Sequence, residues 1–131
     1  MKIGINDLHS NLMSIKEALS PELFSETREN SFVCIRDEIG CSVFLITPFY
    51  ISIENALDTN REKARSLLPR YIDIEKYLIV RYNTRFVNLQ KVFRTQLMHR
   101  DVDSFCSEPV HPKHAGYIGI ANTLLTELSK E

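Results

Sequence analysis

The stretch Cys41-Ser42-Val43-Phe44-Leu45-Ile46-Thr47-Pro48 decides how this chain is read. It is a continuous apolar run rich in β-branched and aromatic residues, and Pro48 stops it. An apolar run of this kind reads as a strand buried on both faces, the situation of a strand in a parallel sheet covered by helices. Cys34 and Cys41 fall in the same apolar surroundings and are expected to be buried thiols rather than partners in a bridge.

Upstream of that strand the sequence predicts a helix. Ser20 offers a cap, Pro21 suits the first helical position, and Glu22 and Glu26 lie near the positive end. Leu23, Phe24, Phe32, Ile35 and Ile39 form its expected apolar face, and Gly40 stands where a terminating glycine belongs. Further back, Lys2 to Ile5 reads as a strand ended by the turn chemistry of Asn6-Asp7, and His9 to Leu19 as a short helix or an ordered loop.

Downstream, Thr59 or Asn60 opens a helix whose positions Ala64, Leu67, Leu68, Tyr71, Ile72, Leu78, Ile79 and Tyr82 keep helical spacing. Pro69 should kink that helix or mark its true first turn. Arg61, Lys63, Arg65 and Arg70 alternate with acids and are expected on a solvated helix face. Arg85 to Leu89 reads as a third strand, with a short helix after it through Val92, Phe93, Gln96 and Leu97. A terminal helix starts near Pro112 to Ala115, with Ile118, Ala121, Leu124, Leu125 and Leu128 as its expected apolar face.

The order is β-α-β-α-β-α, which predicts an α/β domain over residues 1–131: a parallel sheet of at least three strands with helices on both faces. Ligands of such sheets bind beyond the carboxyl ends of the strands. Asn6-Asp7, Pro48-Phe49-Tyr50 and the segment around His111 are the residues that reach that edge. Phe49 and Tyr50 are open to two readings, as an acyl pocket or as packing under the following loop.

Composition narrows the function classes. Of 131 residues 44% are hydrophobic and 25% charged, with a net charge of −1, as in an ordinary globular domain. No basic stripe with interleaved aromatics points to nucleic acid, and no apolar run approaches the ~20 residues of a membrane span. Met1 to Asp7 does not read as a signal peptide, so a cytoplasmic location is expected. The three cysteines lack metal-ligand spacing.

Two segments carry the chemistry: Gly4-Ile5-Asn6-Asp7-Leu8, and Glu108-Pro109-Val110-His111-Pro112-Lys113-His114-Ala115-Gly116-Tyr117. Together, in this order, they resemble the SGNH (GDSL-like) hydrolase family. Gly4 to Asp7 is similar to its Gly-x-Asn-Asp block, and Glu108 to Tyr117 to its acid-x-x-His block followed by Pro and Gly-Tyr. The Phe44-to-Phe49 and Phe86-to-Leu89 strands are similar to strands of the family too, so the resemblance covers nearly the whole chain.

The resemblance implies a flavodoxin-like three-layer sandwich and hydrolysis of acyl esters through a Ser-His-acid site, with no metal or organic cofactor. It implies an oxyanion-hole amide from Asn6, close packing at Gly4 and bracing of the Asn6 loop by Asp7. His111 becomes the base and acid, and Glu108 the group that orients it. Glu108 stands where the family usually has aspartate and is one methylene longer.

The family's Gly-Asp-Ser block has no counterpart in this sequence; Ser10, Ser14, Ser20 and Ser25 all lack that context. The expectation is therefore half a catalytic site, inactive alone. It also implies an apolar strand at Lys2–Ile5 whose open edge invites self-association or a missing amino-terminal segment. A non-catalytic remnant or interaction module is the alternative. Two further readings carry less weight: a metal held by His111, His114, Glu108 and His9, and a nucleophilic Cys106 five residues before His111.

Overall fold

The computed structural model describes Asn6, Leu8 and residues 20–52 and 59–130. The Lys2–Ile5 strand, Gly4, Asp7 and the His9–Leu19 segment lie outside the described residues.

Helix α1, Pro21–Val33, begins as the sequence predicts, with the Ser20 hydroxyl accepting from the Leu23 amide at 3.2 Å. It does not run unchanged to Gly40. Residues Cys34–Glu38 widen into a π-helical turn, closed by the Ile39 amide on the Cys34 carbonyl at 3.2 Å. Gly40 then takes φ +73°, the left-handed conformation that ends the element.

The extra residue per turn rotates the side chains after it, and this corrects several expectations. Ile39 is exposed, Ile35 and Cys34 are half-buried and Cys41 is exposed, so neither thiol is a core group. Leu23, on the first turn, is exposed as well.

Strand β1 is Phe44–Ile46, shorter than the Cys41–Thr47 run, whose first two residues are exposed. Helix α2, Thr59–Tyr82, passes through Pro69 without interruption and starts ten residues before it, so the proline does not mark a first turn. Strand β2, Arg85–Val87, pairs with β1 in parallel, Leu45 opposite Phe86 and Ile46 opposite Val87. Helix α3, Leu89–Gln96, comes at once after it, with Asn88 as its cap.

The period-2 alternation of the strands sorts their side chains into two cores. Val43, Leu45 and Phe86 pack with Phe32, Leu78, Ile79 and Tyr82 from α1 and α2. Phe44, Ile46 and Val87 face the other way, against Leu89 and Phe93 of α3 and against Ala115, Ile120 and Leu124 of the terminal helix α5, His114–Leu128. Helices thus cover both faces of a parallel pair, as the α/β reading requires.

A third cluster joins Leu8 to Phe24, Ala64, Leu68, Tyr71 and Ile72. Inside the helix pair Arg28 meets Glu75, Nε to Oε1 at 2.6 Å, with side chains 2% and 0% exposed. Burial pushes the Glu75 carboxyl up, and the Arg28 guanidinium pulls it back part of the way.

The terminal helix corrects the sequence on its orientation. Ile118, Leu125 and Leu128 are exposed, and Ala115, Gly116, Ile120 and Leu124 turn inward. Small residues decide this. A Cβ at Gly116 would lie 2.7 Å from the Phe105 carbonyl oxygen, so only that side of the helix can approach so closely.

Candidate functional site

Between α3 and α5 the chain makes a short helix α4, Val102–Phe105, and then an antiparallel hairpin of β3, Cys106–Glu108, and β4, His111–Pro112. Cys106 pairs with Pro112, and Glu108 lies directly across from His111. Nδ1 of His111 and Oε2 of Glu108 are 2.9 Å apart. An ionised carboxylate only accepts, so Nδ1 carries the proton and Nε2 presents its lone pair outward. The side chains are 73% and 69% exposed, which leaves the imidazole open on the side away from Glu108.

The hairpin is fixed at the carboxyl edge of the parallel strands. The Ile51 amide, five residues past β1, donates to the Pro109 carbonyl at the hairpin tip at 2.8 Å. The Cys106 thiol packs against the Ile51 carbonyl at 3.8 Å, and the Lys113 amide donates to the Phe105 carbonyl at 2.7 Å. The edge itself is tied across by Thr47, whose amide donates to the Val87 carbonyl and whose hydroxyl accepts from the Leu89 amide, both at 3.0 Å. Gln90 accepts from the Tyr50 amide at 2.7 Å. This is the edge at which parallel sheets bind ligands.

The sequence marked Glu108 and His111 but not the residues that hold them. Thr47 reads as no more than the end of an apolar run, and nothing local in the sequence marks Gln90. Phe49 is buried against Phe93, ring centroids 4.9 Å apart, which gives it to the core rather than to an acyl pocket. Cys106 is 2% exposed and serves the core, so the thiol is shielded from the role of nucleophile.

Asn6 is exposed and carries helical backbone, and Leu8, two residues on, is buried against α1 and α2. His114 is exposed on the first turn of α5. His9 lies outside the described residues, and among those described no three His, Cys, Asp or Glu groups converge as a metal site.

A cavity of about 610 Å³ opens beside the same edge. Ser52 and Gln90 contribute polar groups, Arg65 and Arg94 its charges, and Leu68 and Ile72 part of its apolar wall. Arg65 is thus half-buried at a cavity, whereas Arg70 reaches out to Glu22 at 2.6 Å on the solvated face. Among the described residues, no helix is long and apolar enough to cross a membrane.

No protein-family model and no curated protein sequence matches the chain. Solved structures do. LAE5, an alpha/beta hydrolase from the metagenome of Lake Arreo, Spain, is 26% identical over 97% of this chain and 57% of its own, with a TM-score of 0.78. Axe2, an acetylxylan esterase from Geobacillus stearothermophilus, is 28% identical over 99% of this chain and 58% of its own, also at 0.78.

Variants of Axe2 described as catalytic replace a serine near its amino terminus, an aspartate, and a histidine three positions after that aspartate. The chain spans a little under three fifths of the length of these relatives. Over nearly all of its own residues it resembles SGNH-type esterases in fold and in sequence.

Proposed function

We propose that this chain supplies the histidine and acid of an SGNH-type serine esterase acting on small acyl esters. The observation that carries the reading is the 2.9 Å contact of Glu108 with His111 on a hairpin anchored to the carboxyl edge of the sheet. The spacing of that pair equals the spacing of the catalytic aspartate and histidine in Axe2.

In this mechanism a serine hydroxyl, brought by a segment like the amino-terminal part of Axe2, attacks the acyl carbon. Its proton passes to Nε2 of His111, and Glu108 stabilises the resulting imidazolium. The oxyanion is met by the Asn6 amide. Collapse breaks the acyl–oxygen bond, and Nε2 returns the proton to the leaving alcohol. Water then repeats the sequence on the acyl-serine and releases the acid. The relatives named acetylxylan and acetyl-xylooligosaccharide esterases make acetyl esters of sugars the substrates to test first.

A fusion of the Axe2 segment that this chain does not span, placed ahead of Met1, tests the reading. It should hydrolyse p-nitrophenyl acetate, with a loss of roughly 10⁴-fold in kcat on His111→Ala and roughly 10²–10³-fold on Asn6→Ala. The 131-residue chain alone should show no serine-dependent turnover. A fusion whose activity ignores His111→Ala would discard the reading in favour of a non-catalytic module.

A further inference from the structure

The cavity of about 610 Å³ takes its walls from the helices on either face of the sheet: Arg65, Leu68 and Ile72 from α2, and Gln90, Arg94 and Leu97 from α3 and its end. Small-molecule sites typically enclose about 300–1,000 Å³, so the volume suits a ligand rather than a few waters. Among the described residues, the lining includes none of Asn6, Glu108 and His111, which sets the cavity apart from the esterase site.

The polar groups of the lining are matched to an acceptor. Gln90 commits its side-chain oxygen to the Tyr50 amide at 2.7 Å, which leaves its NH2 group as the polar end for the cavity. Arg65 and Arg94 bring guanidinium groups, which only donate. Each carries enough N–H bonds to serve a ligand and a protein partner at once. Among the described lining residues there is no carboxylate. Two cations and an amide donor call for negative charge on oxygen, and the planar fork of arginine matches a carboxylate through two parallel bonds.

The remaining wall is apolar. Leu68 and Ile72 belong to one core cluster and Leu97 packs against another, so this wall is continuous with the interior of both layers. Met98 adds a flexible thioether, 76% exposed. A bare inorganic anion would leave that surface uncovered.

We propose that this cavity binds a small amphiphilic carboxylate, its head held by Arg65 and Arg94 and its hydrocarbon body lying on Leu68, Ile72 and Leu97. No bond of the ligand is made or broken there, and the binding does not depend on the esterase reading.

Calorimetric titration of the whole 131-residue chain with octanoate, kept below its micelle concentration, tests this. The expected result is saturable one-to-one binding, with shifts of the Met98 methyl and Gln90 side-chain NH2 resonances. Octanol, which lacks the charge, and acetate, which lacks the body, should each bind on the order of 100-fold more weakly. Arg65→Gln and Arg94→Gln should each weaken octanoate on the order of 10-fold. Arg94 is exposed, so Arg94→Gln should keep the parent melting temperature and stay informative even where the half-buried Arg65 does not tolerate replacement. Absence of saturable binding, octanol or inorganic phosphate binding as tightly as octanoate, or affinity indifferent to Arg94→Gln would each overturn the proposal.

Discussion

Glu108 and His111 face each other across a hairpin, Oε2 to Nδ1 at 2.9 Å, and the carbonyl of Pro109 between them is held by the Ile51 amide at 2.8 Å. The pair is therefore positioned by the sheet edge and not by its own short loop. Its geometry is that of an imidazole held in one tautomer, with Nε2 turned outward.

That tautomer is directly observable. In a long-range ¹H–¹⁵N spectrum at about pH 8, neutral His111 should show a protonated Nδ1 and a bare Nε2. Glu108→Ala should shift the ring toward the Nε2–H form preferred by free imidazole, and Glu108→Asp should restore part of the parent pattern. An Nε2–H ring in the parent chain would contradict the contact.

Gly116 sets how closely α5 approaches the hairpin. A methyl group there would meet the Phe105 carbonyl oxygen at 2.7 Å and the Pro112 Cβ at 2.8 Å, backbone and ring atoms with little room to yield. Gly116→Ala should destabilise the fold by about 1–3 kcal/mol, read as a lower midpoint in thermal unfolding. Unchanged stability would mean that α5 sits further out.

Thr47 closes the strand edge with one hydroxyl. Thr47→Val keeps the shape but leaves the buried Leu89 amide without its acceptor at 3.0 Å, which should cost about 1–3 kcal/mol. Thr47→Ser, which keeps the oxygen, should cost less. Urea unfolding of the two variants separates the lost hydrogen bond from lost packing.

The buried Glu75 predicts a pH dependence. Burial raises its pKa above the ordinary 4.5 despite Arg28, so the native chain binds this proton more tightly than the unfolded one. The associated stability is fully present below 4.5 and is lost as pH rises through the raised value.

Glu75→Gln removes that slope, so the stability gap between variant and parent should move in the variant's favour as pH rises from about 4 to about 7. Glu75→Ala, which removes the carboxyl group altogether from beside the buried Arg28 guanidinium, should be less stable than the parent by about 3 kcal/mol. The apolar pair Arg28→Met with Glu75→Leu should be neutral or stabilising. Denaturant titrations across that pH range check all three, and a constant gap would contradict the raised pKa.

Much of the fold was legible because it depends on local signals. The Ser20 cap, Pro21 and the left-handed Gly40 bound the first helical segment, and α2 starts at Thr59 as expected, whereas the strand expected over Arg85–Leu89 stops at Val87 because Asn88 caps α3. What spacing does not carry is a change of helical period. The π turn at Cys34–Glu38 leaves Ile39 at the end of the element exposed to solvent. Nor did it show that Arg28, between Phe24 and Phe32, has its partner on the matching face of α2, 47 residues away.

Periodicity, turn residues and a short motif are all written along the chain. They were enough for the α/β order and for singling out Glu108 and His111, which the structure brings together. The side of α5 that turns inward was decided by packing alone, since that helix is apolar around most of its circumference and close approach at Gly116 selects the face. Packing also decided that the acid meets the imidazole. A hydrogen bond across a hairpin depends on strand register, and here register is set by contacts with Ile51 and Phe105, residues that no local pattern links to the motif.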